Sequence, residues 1–197
     1  MMPLSHGSNP APYESCAFFI RHNPSEREFL FFGDVEPDSL ASEPKTIHVW
    51  RAAAPKIPHI LDTIFIECSW PSGREDKQLY GHLTPEHLVQ ELGALALEVT
   101  RWRASNSNKR YASSQSNASF LRKRKKSIKA KPLSLRGALN GVRIFIIHCK
   151  EDMQSKYNKP MHEIITEQVK RLMDEKGLGA TILAAEQGMY IGTSPSL

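Results

Sequence analysis

Apolar residues fall along this chain in short, nearly continuous runs separated by polar stretches. Cys16-Ala17-Phe18-Phe19-Ile20-Arg21, Phe29-Leu30-Phe31-Phe32, Leu61 to Glu67 and Val142-Arg143-Ile144-Phe145-Ile146-Ile147 are each too short for a core helix. Runs this continuous suit strands covered on both faces, so the pattern predicts an α/β protein. His22-Asn23-Pro24-Ser25-Glu26 separates the first two runs and predicts a hairpin. Elsewhere the period changes. Leu88, Leu92, Leu95 and Val99 recur at helical spacing behind Thr84 as N-cap, Pro85 at the first helical position and Glu86 in the first turn. That predicts a helix ending near Trp102. Met161, Ile164, Ile165, Val169 and Leu172 predict another from about Pro160 to Lys176, stopped by Gly177 and followed by a short strand over Ala180–Ala184. A smaller helix is expected over Ile47–Ala54, limited by Pro55 and Pro58. Residues 1–15, rich in Pro, Ser and Gly, read as irregular.

Composition breaks this order once. From Ala104 to Leu135 the chain is Ser, Asn, Lys and Arg with few apolar residues, too few to offset the entropy of ordering, and it reads as a disordered insertion. The expected organisation is therefore 1–103, an insertion at 104–136, and 137–197. Eleven of the 26 Lys and Arg lie between Arg103 and Arg136 with no acid among them, leaving 15 bases against 21 acids elsewhere. The formal charge of +5 thus conceals a mildly acidic body, which argues against a nucleic-acid partner. The run Arg122-Lys123-Arg124-Lys125-Lys126-Ser127 reads equally as a nuclear address, an anionic-surface contact, a phosphorylation site at Ser127 or a solvated loop. No apolar stretch has membrane-spanning length and the start lacks the features of a signal peptide, so no membrane partner is expected. Cys16, Cys68 and Cys149 are odd in number and far apart, which fits a reducing, cytoplasmic setting, with nuclear entry left open by the basic run.

The chemistry collects at the strand ends. Phe32 runs into Gly33-Asp34, Ile66 into Glu67-Cys68-Ser69-Trp70, and Ile147 into His148-Cys149-Lys150, while His82 sits just before a helix start. A carboxylate or imidazole there projects from a rigid element into a cleft. Singly, Gly33-Asp34 also reads as the start of a turn and His6 as a solvated loop histidine. The ordered set reads as an active-site rim on an α/β sheet.

Phe32-Gly33-Asp34-Val35-Glu36, Ile66-Glu67-Cys68-Ser69-Trp70, Gly81-His82-Leu83-Thr84-Pro85-Glu86-His87-Leu88 and Ile147-His148-Cys149-Lys150, in that order, resemble the carboxyl-terminal half of the fungal low-affinity class II cyclic-nucleotide phosphodiesterases of the metallo-β-lactamase superfamily. The resemblance implies part of an αββα sandwich, the carboxyl-terminal half with the amino-terminal half missing. It also implies a two-metal hydrolysis of 3′,5′-cyclic AMP to 5′-AMP in cAMP signalling. Residue by residue, it makes Asp34 the carboxylate bridging two metals, His148 the last histidine ligand and His6 the ligand preceding the bridging acid. His82 would contact the phosphate and assist the leaving oxygen, and Glu67 would support the cluster from behind. His87 would pack or cap, and His22, His48, His59 and His162 would be structural or solvated. Imidazole and carboxylate donors suit zinc among divalent ions. The family's His-x-His-x-Asp-His motif occurs nowhere in this sequence. A partial metal site is therefore expected, in a fragment or truncated product that is inactive alone, with an uncovered apolar sheet face that favours self-association. Two other readings are a non-catalytic interaction module built on the fold and a tRNA 3′-end endonuclease using the basic insertion as an RNA arm. The Gly81–Leu88 stretch favours the cyclic nucleotide.

Overall fold

The computed structural model describes residues 1–7, 13–113, 133–151 and 157–192. One mixed six-stranded sheet in strictly sequential order carries the described α-helices on one face: β1 (Met2–Leu4), β2 (Ser15–His22), β3 (Arg27–Phe32), β4 (Leu61–Glu67), β5 (Arg143–Ile147) and β6 (Thr181–Ala184). β1, β2 and β3 are antiparallel neighbours, whereas β3 to β6 run parallel. Parallel neighbours need crossovers, and these are supplied by α1 (Thr46–Ala53), α2 (Pro85–Ser113) and α3 (Met161–Lys176).

Register sorts the side chains between the two faces. Ala17 pairs with Phe32, Leu30 with Ile64, Ile64 with Ile144 and Ile144 with Ile182, and all of these are buried under the helices. Trp50 of α1 packs its ring 5.0 Å from Phe32, and Leu88, Leu92, Leu95 and Val99 of α2 are all fully buried, as their spacing predicts. The alternate positions form the opposite face. There Phe18 pairs with Phe31, Phe31 with Phe65 and Phe65 with Phe145, with ring centroids 6.1 Å apart for Phe31 and Phe65 and 5.1 Å for Phe65 and Phe145. Phe18 and Phe31 remain about 40% exposed (40% and 38%), because no element of the described chain crosses this face.

Three expectations change. Residues 2–4 are not irregular but form an edge strand, which tolerates Pro3 because an edge leaves one row of backbone groups unpaired. α2 continues past Trp102 to Ser113, so the insertion begins inside a helix. An established helix propagates at little cost per residue, and Ser105 and Ser107 hydroxyls donate back to the carbonyls of Arg101 and Ala104 at 2.9 Å. Most of the expected disordered insertion, residues 114–132 with the Arg122–Ser127 run, lies outside the described residues. Gly33, thirdly, is required by crowding rather than by a glycine-only turn: a Cβ there would lie 2.7 Å from Ser15 Oγ and 3.2 Å from the Cys16 carbonyl oxygen. No described helix is long and apolar enough to cross a membrane.

Candidate metal centre

Because β3, β4 and β5 run parallel, their carboxyl ends share one edge, and β1, two antiparallel steps from β3, ends there too. Open α/β sheets form ligand crevices at this edge. Asp34 lies just beyond β3, Glu67 closes β4, His148 follows β5 and His6 follows β1. Backbone hydrogen bonds fix the loops against one another. Glu36 N–H donates to the Ser5 carbonyl at 2.7 Å, drawing the Asp34 loop to His6. Ser69 and Trp70 N–H groups donate to the Leu83 carbonyl at 3.0 and 3.2 Å, bringing His82 beside Glu67. Lys150 N–H donates to the Ser69 carbonyl at 2.9 Å and holds the His148 turn.

Asp34, Glu67, His82 and His148 each present one ligand atom such that all four lie within 4.8 Å of one another. His148 Nδ1 is 2.9 Å from Asp34 Oδ1 and 3.8 Å from Glu67 Oε2. His6 stands beside this group, its Nε2 3.7 Å from Asp34 Oδ2 and its ring 5.1 Å from that of His82. The two oxygens of Asp34 therefore face two different histidines, the arrangement a bridging carboxylate requires. His22, His48, His59 and His162 have no place in the four-residue group, and His87 instead pairs its Nδ1 with Thr84 Oγ1 at 2.8 Å at the start of α2.

Glu67 is 1% exposed and fully engaged. It accepts from Val35 N–H at 2.6 Å, from the Ser69 hydroxyl, and from His82 Nδ1 at 2.9 and 3.0 Å. The Ser69 hydroxyl also reaches the His148 carbonyl oxygen at 2.9 Å, tying the loop after β4 to the residue with φ of 57° that follows β5. Positive φ in a residue this bulky is a strained geometry, and such strain persists where surrounding bonds over-determine it. Ser69 and Lys150, whose Nζ lies 2.9 Å from His148 Nε2, were not singled out by the strand-end pattern. A hydroxyl two residues beyond the strand-end Glu67 is the one signal that marks Ser69.

The donor set fits a divalent cation. His6 donates Nδ1–H to the Gly81 carbonyl at 2.9 Å and His82 gives its Nδ1 to Glu67, so both rings keep Nε2 free. All three cysteines are free thiols. Burial pushes the Cys149 thiol up to about 11 and Cys68 well above its ordinary value, which leaves the nitrogen and oxygen groups as the ready donors.

The sequence profile of cAMP phosphodiesterases class-II matches residues 1–188. The chain belongs to this family. Among curated relatives, the 3′,5′-cyclic-nucleotide phosphodiesterase of Schizosaccharomyces pombe is 51% identical over 96 residues, which cover 46% of this chain and 26% of that protein. The 3′,5′-cyclic-nucleotide phosphodiesterase 1 of Saccharomyces cerevisiae is 38% identical over 87 residues, 43% of this chain and 24% of its own length. The Candida albicans enzyme is 26% identical over 168 residues, 82% of this chain and 33% of its own length. In three dimensions, the crystal structure of unliganded yeast PDE1 matches with a TM-score of 0.68 and 26% identity, over 95% of this chain and 43% of that one. The class-II chain described here thus spans about a quarter to a third of these curated relatives.

Proposed function

We propose that these residues belong to a divalent-metal hydrolytic centre that converts 3′,5′-cyclic AMP to 5′-AMP. One observation carries the reading: two carboxylates and two imidazoles from four separate stretches converge within 4.8 Å, in a chain of the class-II family. Asp34 and His148 would hold the metal, with His6 on the far side of Asp34. A bound divalent ion, zinc by the softness of this donor set, supplies Lewis acidity toward the phosphodiester and acidifies water.

The rest of the chemistry falls to the side chains. Glu67 accepts a hydrogen bond from His82 Nδ1–H and leaves Nε2 as the nitrogen that would meet the substrate, the orienting role a carboxylate plays behind a working imidazole. His82 Nε2 then hydrogen-bonds the phosphate and, as imidazolium, delivers a proton to the 3′-oxygen while the bond from phosphorus to that oxygen breaks and water adds to phosphorus. Lys150 Nζ adds positive charge at the same rim for the anionic diester.

No His-x-His-x-Asp-His occurs among the 197 residues, so the donor set is incomplete for two ions. The chain alone is expected to turn over little cyclic AMP, and activity should return when a segment bearing that motif is supplied. The test measures metal content after gentle purification, then hydrolysis of cyclic AMP and of an RNA substrate with and without that segment. Stoichiometric, tightly held zinc in the isolated chain would overturn the incompleteness. Failure of the supplemented chain to open cyclic AMP would overturn the substrate.

A further inference from the structure

The turn that delivers His82 carries a side chain whose backbone is strained and whose ring is not used for packing. Tyr80 has φ of 54° and is 71% exposed. An L side chain in the left-handed region carries a steric cost that glycine avoids. The next residue, Gly81, also has positive φ, and there the requirement is plain: a Cβ would lie 2.7 Å from Gly7 N and 2.9 Å from His6 Nδ1. Nothing comparable asks for a tyrosine at 80.

Single exposed aromatics are ordinary, but this one has company. The Arg74 guanidinium carbon lies 3.6 Å from the centre of the Trp70 ring and 5.9 Å from that of Tyr80. Arg74 Nε donates to the Gln78 carbonyl at 2.7 Å and Trp70 Nε1 to the Leu79 carbonyl at 2.9 Å, so both planar groups are fastened to the backbone that presents Tyr80. The α-carbons of Tyr80 and His82 can be no more than about 7.6 Å apart, two trans-peptide steps, so the backbone that presents the ring is the backbone that presents the site imidazole.

We propose that Tyr80, backed by Arg74, is the wall on which the purine of a nucleotide stacks while its phosphate faces Asp34, His82 and His148; this rests on the reading of that cluster as a phosphodiesterase centre. Stacking on an aromatic and a guanidinium uses the face of a base rather than its edges. The wall therefore selects for a purine over no base at all and does not itself distinguish adenine from guanine.

The experiment uses the full 197-residue chain titrated with zinc, and calorimetric binding of 5′-AMP, 5′-GMP and ribose 5-phosphate to wild type and to the Tyr80→Ala, Tyr80→Phe and Tyr80→Gly variants. Wild type should bind both purine nucleotides about tenfold or more tighter than ribose 5-phosphate. Tyr80→Ala and Tyr80→Gly should erase that preference without changing ribose 5-phosphate binding, and Tyr80→Phe should retain it. Thermal unfolding supplies a second readout: Tyr80→Gly should not lower the midpoint, because glycine adopts this φ freely, whereas a packing role for the ring would make it fall. Unchanged 5′-AMP preference in Tyr80→Ala, or no such preference in wild type, overturns the base wall and leaves the metal centre standing. Loss of ribose 5-phosphate binding together with that of 5′-AMP in Tyr80→Ala would make the ring part of the phosphate site rather than a base wall, and likewise overturns the proposal.

Discussion

Glu67 shows how one residue can serve both fold and site. Its carboxylate is buried, and it satisfies the Val35 amide, the Ser69 hydroxyl and His82 Nδ1 together. Glu67→Ala strands at least two buried donors, each costing about 1–3 kcal/mol, so denaturant titration should show a loss of roughly 2–4 kcal/mol. Glu67→Gln keeps the volume and one acceptor oxygen and should cost less in stability, while replacing the carboxylate charge behind His82 with a neutral amide. In a chain competent for hydrolysis its rate should drop about 10- to 100-fold, with the pH profile displaced. Glu91 offers a different test. Burial raises its pKa above the ordinary carboxylate value, although it accepts from Trp50 Nε1 at 3.0 Å and Asp38 N–H at 2.9 Å. A carboxyl whose folded pKa exceeds its unfolded one binds more protons when folded, so its contribution is full below the unfolded value and is lost as pH rises through the folded one. The stability advantage of wild type over Glu91→Gln should therefore shrink as pH climbs from the acid side toward neutrality; an advantage that grows would contradict the burial account. At this scale the strand-end pattern already marks Asp34, Glu67 and His148, because a polar residue closing an apolar run stands out. It marks His6 poorly, since the strand before it is only three residues long and contains Pro3.

At the scale of elements, the loop bearing Asp34 is anchored by α1. Asp38 accepts from the N–H groups of Lys45, Thr46 and Ile47 at 3.1, 2.9 and 2.8 Å, so a carboxylate seven to nine residues upstream caps the helix start and complements its dipole. Its own N–H donates to Glu91 of α2. The span from Asp34 to Lys45 thus lies between two helices. Asp38→Ala should cost about 1–2 kcal/mol and make residues 34–45 more readily cleaved in limited proteolysis, with the sheet core left intact. No local pattern could announce this cap, because N-cap signals are read immediately before a helix and Lys45 occupies that place. β2 to β6, the start of α2 and the end of α3 are legible for the opposite reason: apolar period, Thr84-Pro85 and Gly177 act within one or two turns. α2 ends eleven residues later than its apolar face suggests, at Ser113 rather than Trp102, since continuing a helix needs tolerance and not burial.

The described residues form two layers where the apolar pattern of the chain asks for three. One side of the sheet is closed by α1, α2 and α3, yet the other presents Phe18, Ile20 and Phe31 to solvent, 40%, 43% and 38% exposed, around the packed Phe29, Phe65 and Phe145. Yeast PDE1, matched over 43% of its length, contains additional chain that the comparison does not place on this one. Among the described residues no helix or strand covers this face, and water in contact with so many adjoining rings favours self-association. Sedimentation velocity should show concentration-dependent oligomers. Replacing Phe18 and Phe31 together by Thr keeps strand-forming side chains while removing their aromatic area. Because these two rings belong to the uncovered face and not to the core beneath the helices, the double variant should sediment as monomer with nearly unchanged thermal stability. Monomeric wild type across the same concentrations would mean that the aromatic face is content in water. A double variant that unfolds would mean that its rings hold the sheet together rather than awaiting a partner.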